Sequence, residues 1–252
     1  MRERGRFEGM WTIVRFNWPI YAAALAVIPV GIVVFAFLGA PLLKVACIAA
    51  VAGTLWFLTG SLAASHIVYD RSDLHRGAWL TRALGGTTPR RAAVCHCGYD
   101  EISALIREKL PDAEISILDH YDDATMSEPS IRRARRLFPP GPGTTPAPFS
   151  KWPASDSSLD AVFGALAIHE LRTHGERAAW FTEARRCLAA GGRVVLVEHV
   201  RDVANFAAFG PGFVHFHSAA TWRRAWESAG LRLAEEFRVT PFLRVFVICR
   251  HD

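Results

Sequence analysis

The sequence predicts an α/β fold, with a doubly wound, mostly parallel sheet preceded by a two-helix transmembrane hairpin. Three observations carry this reading. Apolar runs of strand length alternate with helical patterns from residue 91 onward. The stretch from Leu159 to Asp202 reads strand, helix, glycine turn, strand, which is a β-α-β unit with a parallel pair. Ahead of it lie two uncharged stretches, each able to cross a bilayer, which takes about 20 apolar residues.

Residues 1–16 (MRERGRFEGMWTIVRF) form a basic N-terminus carrying Arg2, Arg4, Arg6 and Arg15. Residues 17–65 are the hairpin. From Phe16 to Leu43 there is no charge, and after Lys44 the chain carries none again through Tyr69. Gly39-Ala40-Pro41 separates helices expected over 17–39 and 42–65. The apolar stretch is too long, and repeated, for a cleavable signal peptide. Two adjacent runs of this length favour insertion over a pair of buried core helices. Arg71, Arg76 and Arg82 follow the second run. The arginines on both flanks predict an inner-membrane protein whose remaining domain faces the cytoplasm.

Residues 66–90 read as a polar connector, and Gly85-Gly86-Thr87-Thr88-Pro89 leads into an α/β domain over 91–252. Strands are expected over 91–97 and 114–118, with helices over 101–110 and 128–137. The segment 139–148 (PPGPGTTPAP) reads as a loop. Leu159–Ala167 is a nearly unbroken apolar run, the pattern of a strand buried on both faces. A helix over 176–190 is expected to end at Gly191-Gly192, because glycine takes the left-handed C-cap conformation without a Cβ penalty. A strand over 193–197 follows, then a loop over 203–217. Ser218 is the expected N-cap of a helix reaching Gly230. Strands over 231–239 and 243–250 close the sheet.

Composition narrows the functional classes. The 252-residue chain has a net charge of +5, nearly all of its basic residues arginine. These are interspersed with acids and form no aromatic-interleaved stripe, which excludes nucleic acid as the partner. Five cysteines lie in or beside apolar segments, as buried thiols rather than a disulfide framework.

The segments KWPASDSSLDAVFGALAIHEL (151–171), ARRCLAAGGRVVLVEH (184–199) and HSAATWRRAWESAGLRL (217–233) resemble the class I S-adenosylmethionine-dependent methyltransferases over roughly residues 90–250. In the first segment Asp156 and Asp160 match the family's acids, and Trp152 takes the position of its leucine. The whole chain also resembles membrane-tethered members of that group. The resemblance implies S-adenosylmethionine as cofactor, bound by Gly98, Asp100, Asp119, His120, Trp152 and Asp156. Asp119, ending the second strand, would take the ribose hydroxyls, and adenine would lie against Phe149 or Trp152, for both of which core packing is the alternative. The first turn, VCHCGYDEIS (94–103), departs from the family's triple-glycine pattern and keeps only Gly98. For Asp100, capping the next helix is an equal alternative.

Five histidines, His96, His169, His199, His215 and His217, fall at or just after strand ends, the edge where open α/β sheets bind ligands. A neutral imidazole accepts a proton near neutral pH. The catalytic set expected is His169, Glu170, His199 and His215, with Glu170 or Glu198 orienting an imidazole. No metal is assigned, because His169-Glu170…His174 lacks the HExxH zinc spacing. The acceptor expected is a small lipophilic molecule drawn from the bilayer, presenting an O, S or N nucleophile. A homo-oligomer stays open. Two rivals stand beside this reading: a cofactor-less binding or assembly module of a membrane complex on the same fold, and a metal-dependent enzyme with the histidines as ligands. Arg172, Arg201, Asp202 and Asn205 are either substrate-binding or loop-anchoring.

Overall fold

A computed structural model describes residues 5–251. Arg2 and Arg4 of the basic N-terminus lie outside the described residues. Seven strands form one sheet: β1 (Arg91–His96), β2 (Glu114–Asp119), β3 (Thr144–Pro146), β4 (Leu159–Ala165), β5 (Leu188–His199), β6 (Leu231–Thr240) and β7 (Leu243–Arg250). Their order is β3-β2-β1-β4-β5-β7-β6. β7 pairs antiparallel with both neighbours, and all other pairs are parallel. The chain winds outward from β1 in one direction and from β4 in the other. The carboxyl ends of these two central strands therefore flank a topological switch point, where such sheets bind ligands.

The central strands read as unbroken apolar runs because both faces are covered. In β5, Val194 and Leu196 pack under α7 (His174–Cys187) and α9 (Ala219–Ser228), among Trp180, Phe181, Trp222 and Trp226. Val195 and Val197 point to the other face, under α4 (Ala78–Ala83) and α5 (Ser103–Lys109). Alternation across the strand puts successive side chains into different layers.

Four expectations change. The segment 66–90 is no simple polar connector: Leu74, Trp79, Leu80, Ala83 and Leu84 are buried against the sheet. The loop at 139–148 contains β3, which pairs with β2. The stretch 203–217 holds α8 (Val203–Phe209), whose N-cap Asp202 accepts from the Asn205 N–H. Finally, α7 stops at Cys187, not at the glycines. Leu188 already pairs with Leu159, and the register then shifts before Ala161 meets Arg193. Gly191, at φ +74°, sits inside that irregularity, where a left-handed turn is needed.

The described chain opens with α1 (Glu8–Phe16), α2 (Trp18–Phe37) and α3 (Pro41–His66), ahead of α4 and the sheet. The remaining helix, α6 (Pro129–Leu137), follows β2. α2 and α3 are both long and apolar enough to cross a membrane, and only 6% of either apolar window is buried. That exposure sets aside the alternative of two core helices. α2 spans about 30 Å at 1.5 Å per residue, the thickness of a hydrocarbon core. The base of the hairpin is docked on the sheet domain. Trp56 donates to the Ala207 carbonyl at 2.9 Å, and a Cβ on Gly60 would lie 2.8 Å from the Ala208 carbonyl oxygen. α1 is fastened by Asp70, which accepts from the Gly9 and Met10 N–H groups at 2.6 and 3.1 Å.

Candidate active site at the carboxyl edge

A cavity of about 860 Å³ lies over the carboxyl ends of β1, β4 and β5. Its floor is made by Cys97, Leu166, His169, Glu170 and His199. Its other walls come from α6, the segment 209–216, and the base of the hairpin through Tyr21, Phe57, Ser61 and Ser65. The histidines and the acid expected to be catalytic, His169, Glu170, His199 and His215, all line it.

The end of β4 is shaped to deliver two of them. Leu166 adopts φ +53°, a left-handed conformation uncommon outside glycine, and a 3-10 turn over Ile168–Glu170 follows. Glu198, at the end of β5 and fully buried, holds this turn. One of its oxygens accepts from the Ala167 and His169 N–H groups, both at 3.2 Å, and the other faces His169 Nδ1 at 2.7 Å. Burial works against charge on His169, but Glu198, aided by Glu170, outweighs it and raises the imidazole to about 9. His169 is therefore an imidazolium at neutral pH, not the proton acceptor expected of it. Glu170 is 8% exposed, and its carboxylate makes no hydrogen bond among the described residues. Its near neighbour is His169 Nε2 at 3.7 Å. His215 stands edge-on to His169, with ring centroids 5.1 Å apart, and its Nδ1 is 3.4 Å from Glu128.

His199 is arranged for the opposite charge state. Its Nδ1 lies 3.2 Å from Asn205 Oδ1 and 3.1 Å from the Phe242 carbonyl. Both are acceptors, so Nδ1 carries the hydrogen and Nε2 keeps a lone pair. Tyr69 donates toward that Nε2 from 3.4 Å. Burial, reinforced by the charge on His169, pushes His199 down to about 4. Tyr69 sits in a π-helical turn, Ile67–Arg71, that extends α3. Such turns recur at functional sites. Sequence reading missed Tyr69; the signal was a lone tyrosine at the end of an apolar run.

The residues expected to bind cofactor do not line the cavity. Asp119 is 3% exposed, and its carboxylate is satisfied within the protein. Oδ1 accepts from the Gly98 and Tyr121 N–H groups at 2.9 and 3.0 Å, and Oδ2 from Arg135 at 2.5 Å. Burial favours the neutral acid, yet Arg135, His96 and the Tyr121 N–H hold the carboxyl below its usual range. Gly98 has φ +90°, and a Cβ there would meet the Tyr121 ring at 2.9 Å. His120 donates to the Ala147 carbonyl and stacks on buried Trp152, centroids 5.6 Å apart, and burial lowers it to about 4. Asp100 accepts from the Ser103 N–H and hydroxyl at the start of α5, whose N-cap position is Ile102. Asp156 precedes β4 and so lies at the amino end of the sheet, 77% exposed and paired with Arg186 at 2.6 Å. Asp160, expected beside it, accepts from the Arg90 and Arg91 N–H groups.

The loop residues act as anchors. Arg172 donates to the carbonyls of His169 and His215 at 3.1 and 2.8 Å, tying the two histidine-bearing segments together. Arg201 donates to the Phe216 and Val214 carbonyls, and Asn205 fixes His199. His217 lies outside the cavity, its Nε2 accepting from Arg177, and burial beside that charge lowers it to about 3.

The sequence matches no protein-family model and no curated protein. The backbone matches solved structures. An S-adenosylmethionine-dependent methyltransferase from Aquifex aeolicus aligns at TM-score 0.52 and 14% identity, covering 72% of this chain and 94% of that one. The chain has the fold of the class I methyltransferases. A geranyl diphosphate methyltransferase in complex with GPP and sinefungin aligns at TM-score 0.51 and 16% identity, over 77% of this chain and 84% of its own. The [4+2]-cyclase SpnF aligns at TM-score 0.50 and 12% identity, over 72% and 81%. A cyclase among these neighbours shows that the fold alone does not dictate methyl transfer.

Proposed function

We propose that the protein is a membrane-anchored, S-adenosylmethionine-dependent methyltransferase acting on a small lipophilic acceptor. The observation that carries this reading is the wall of the cavity. The ends of two apolar, largely exposed helices meet the strand-end histidines there, so a molecule held between them touches hairpin and sheet at once. Exposed aromatics at the hairpin base, Trp11 and Trp18, each 57% exposed, suit a membrane interface. Arginine on both flanks of the hairpin supports a cytoplasmic sheet domain.

The cofactor fits unevenly. The turn after β1 presents Cys97 and Tyr99 to the cavity, which leaves room there for the methionine end. The ribose acid, Asp119, stands at the end of β2, but ribose must replace Arg135 on it. When bound, the cofactor supplies an electrophilic methyl group. His199 holds Nε2 as a neutral acceptor for the proton of an acceptor hydroxyl, which takes the place of Tyr69 on that nitrogen. His169, fixed by Glu198, supplies positive charge on the other side, and the apolar hairpin base excludes water.

The saturated state of Asp119 favours a second reading, in which the fold has lost the cofactor and the cavity only binds. Calorimetry with the full chain in detergent separates the two. Under the first, S-adenosylmethionine binds, and Asp119→Ala weakens it by about 1.5–3 kcal/mol, the range for hydrogen bonds to a charged group. Absence of binding by the wild type would leave the second. Labelled methyl appearing in a lipid-extractable product would complete the first.

A further inference from the structure

We infer that His169, Glu170 and His215 form a binding site for a first-row divalent transition-metal ion, open to the cavity. This inference does not rest on the methyl-transfer reading: a bound ion takes the place of the His169 Nε2 proton, and the positive charge beside the cavity is then the ion's. One ligand atom from each residue lies within 4.8 Å of the others, and His169 Nε2 and Glu170 Oε1 are 3.7 Å apart. Ligands at about 2.1 Å from a metal stand roughly this far from one another, so small side-chain adjustments close the set.

Glu170 supplies the second, independent observation. It is a carboxylate more than nine-tenths buried, facing the cavity, with no hydrogen bond among the described residues. Such a group is costly unless something positive meets it. His169 Nε2 stands 3.7 Å from it, beyond hydrogen-bond reach, and its Nδ1 is committed to Glu198 at 2.7 Å. That commitment is itself informative. Metal-bound histidines generally donate their other ring N–H to a carboxylate, which fixes the ring and raises its basicity. Glu198 fills this role from the end of β5, held by two backbone N–H groups. Arg172 keeps the third ligand in range by bridging the carbonyls of His169 and His215. Glu128, 3.4 Å from His215 Nδ1, stands next to the set.

Two imidazoles and one carboxylate select zinc-like or iron-like ions over magnesium and calcium, which take all-oxygen cages. Three protein ligands leave positions open toward the cavity.

The test uses the full chain in detergent, stripped with chelator and dialysed. Zn²⁺ is titrated by calorimetry, and Co²⁺ serves as the spectroscopic probe. The expected result is one equivalent of Zn²⁺, with d–d bands from Co²⁺ and no thiolate charge-transfer band. His169→Ala, Glu170→Gln and His215→Ala should each weaken Zn²⁺ at least tenfold. Glu198→Gln, a positioning change, should weaken it about 10–100-fold with the stoichiometry kept. His215 lies on a surface 3-10 segment, so His215→Ala tests the site even if the buried variants misfold. Absence of binding by the wild type overturns the inference. So does stoichiometric binding that survives both Glu170→Gln and His215→Ala, or a thiolate band placing Cys97 in the set.

Discussion

The two halves of the sheet's carboxyl edge follow one pattern, a strand ending in polar residues, yet they finish in opposite states. At the β1–β2 corner the fold consumes every oxygen of Asp119, and His120 stacks on Trp152. At the β4–β5 corner Glu198 is equally satisfied, but Glu170 and His199 Nε2 face a cavity. The difference lies in what covers each corner. α6 brings Arg135 and, beside it, Tyr121 closes over Gly98. The hairpin base brings apolar rings and hydroxyls through Tyr21, Phe57, Ser61 and Ser65, with no counter-charge among them. Polar strand ends thus mark an edge, and the covering element decides whether that edge becomes a site.

The largest effect expected from breaking this contrast is at Glu198. Glu198→Ala strands the His169 imidazolium and two backbone N–H groups inside the protein. Loss of one partner of a buried pair costs about 3–5 kcal/mol, read from denaturant unfolding. Glu198→Gln keeps an oxygen for the N–H groups and should cost less. If Glu198→Ala changed stability by under about 1 kcal/mol, the turn at 167–170 would not depend on this acid.

At the filled corner, Asp119→Asn should cost about 1.5–3 kcal/mol, since it keeps one acceptor oxygen and loses the charge facing Arg135. The pH dependence follows from the direction of the shift. Asp119 is held below its unfolded value, so its contribution is complete above about pH 4 and disappears as pH falls through the folded value. The gap in unfolding midpoint between wild type and Asp119→Asn should be constant near neutrality and close at acid pH. A gap that stayed unchanged through the acid range would mean that the effect is steric.

Much of this architecture was legible. The runs VVLV in β5 and AVFGA in β4 announce strands buried on both faces, and the glycines and caps mark most turns. The histidines at strand ends point to the right edge. Sequence spacing does not reveal which of them are charged, because that depends on partners distant in the chain. His169 is raised by Glu198 and His199 lowered by burial, although both end parallel strands. Nor does it reveal that Arg135, sixteen residues after Asp119, would reach back to its carboxylate. Asp156 misled for a simpler reason. A motif preceding a strand belongs to the amino end of the sheet, and here it finds Arg186 there. Tyr69 carried no motif at all; it enters the site because α3 overruns its apolar segment by one π-helical turn.

The smallest expected effect, and the one of opposite sign, is at Glu170. Glu170→Gln replaces a buried carboxylate that makes no hydrogen bond among the described residues by a neutral group of the same shape. The charge gains only a 3.7 Å approach to His169 Nε2, too long for a hydrogen bond, while the shorter contact of that ring goes to Glu198. Its removal should therefore leave stability unchanged or raise it by up to about 1 kcal/mol. Residues kept against stability are expected where a ligand supplies the missing partner. Zn²⁺ should then reverse the order. At a hundredfold excess over its dissociation constant a ligand stabilises the native state by about 2.7 kcal/mol, a gain the wild type should show and of which Glu170→Gln, binding at least tenfold more weakly, should lose about half or more. If Glu170→Gln instead destabilised the metal-free protein by more than about 1 kcal/mol, Glu170 would already be satisfied by the fold. The β4–β5 corner would then be as closed to ligands as the corner beside it.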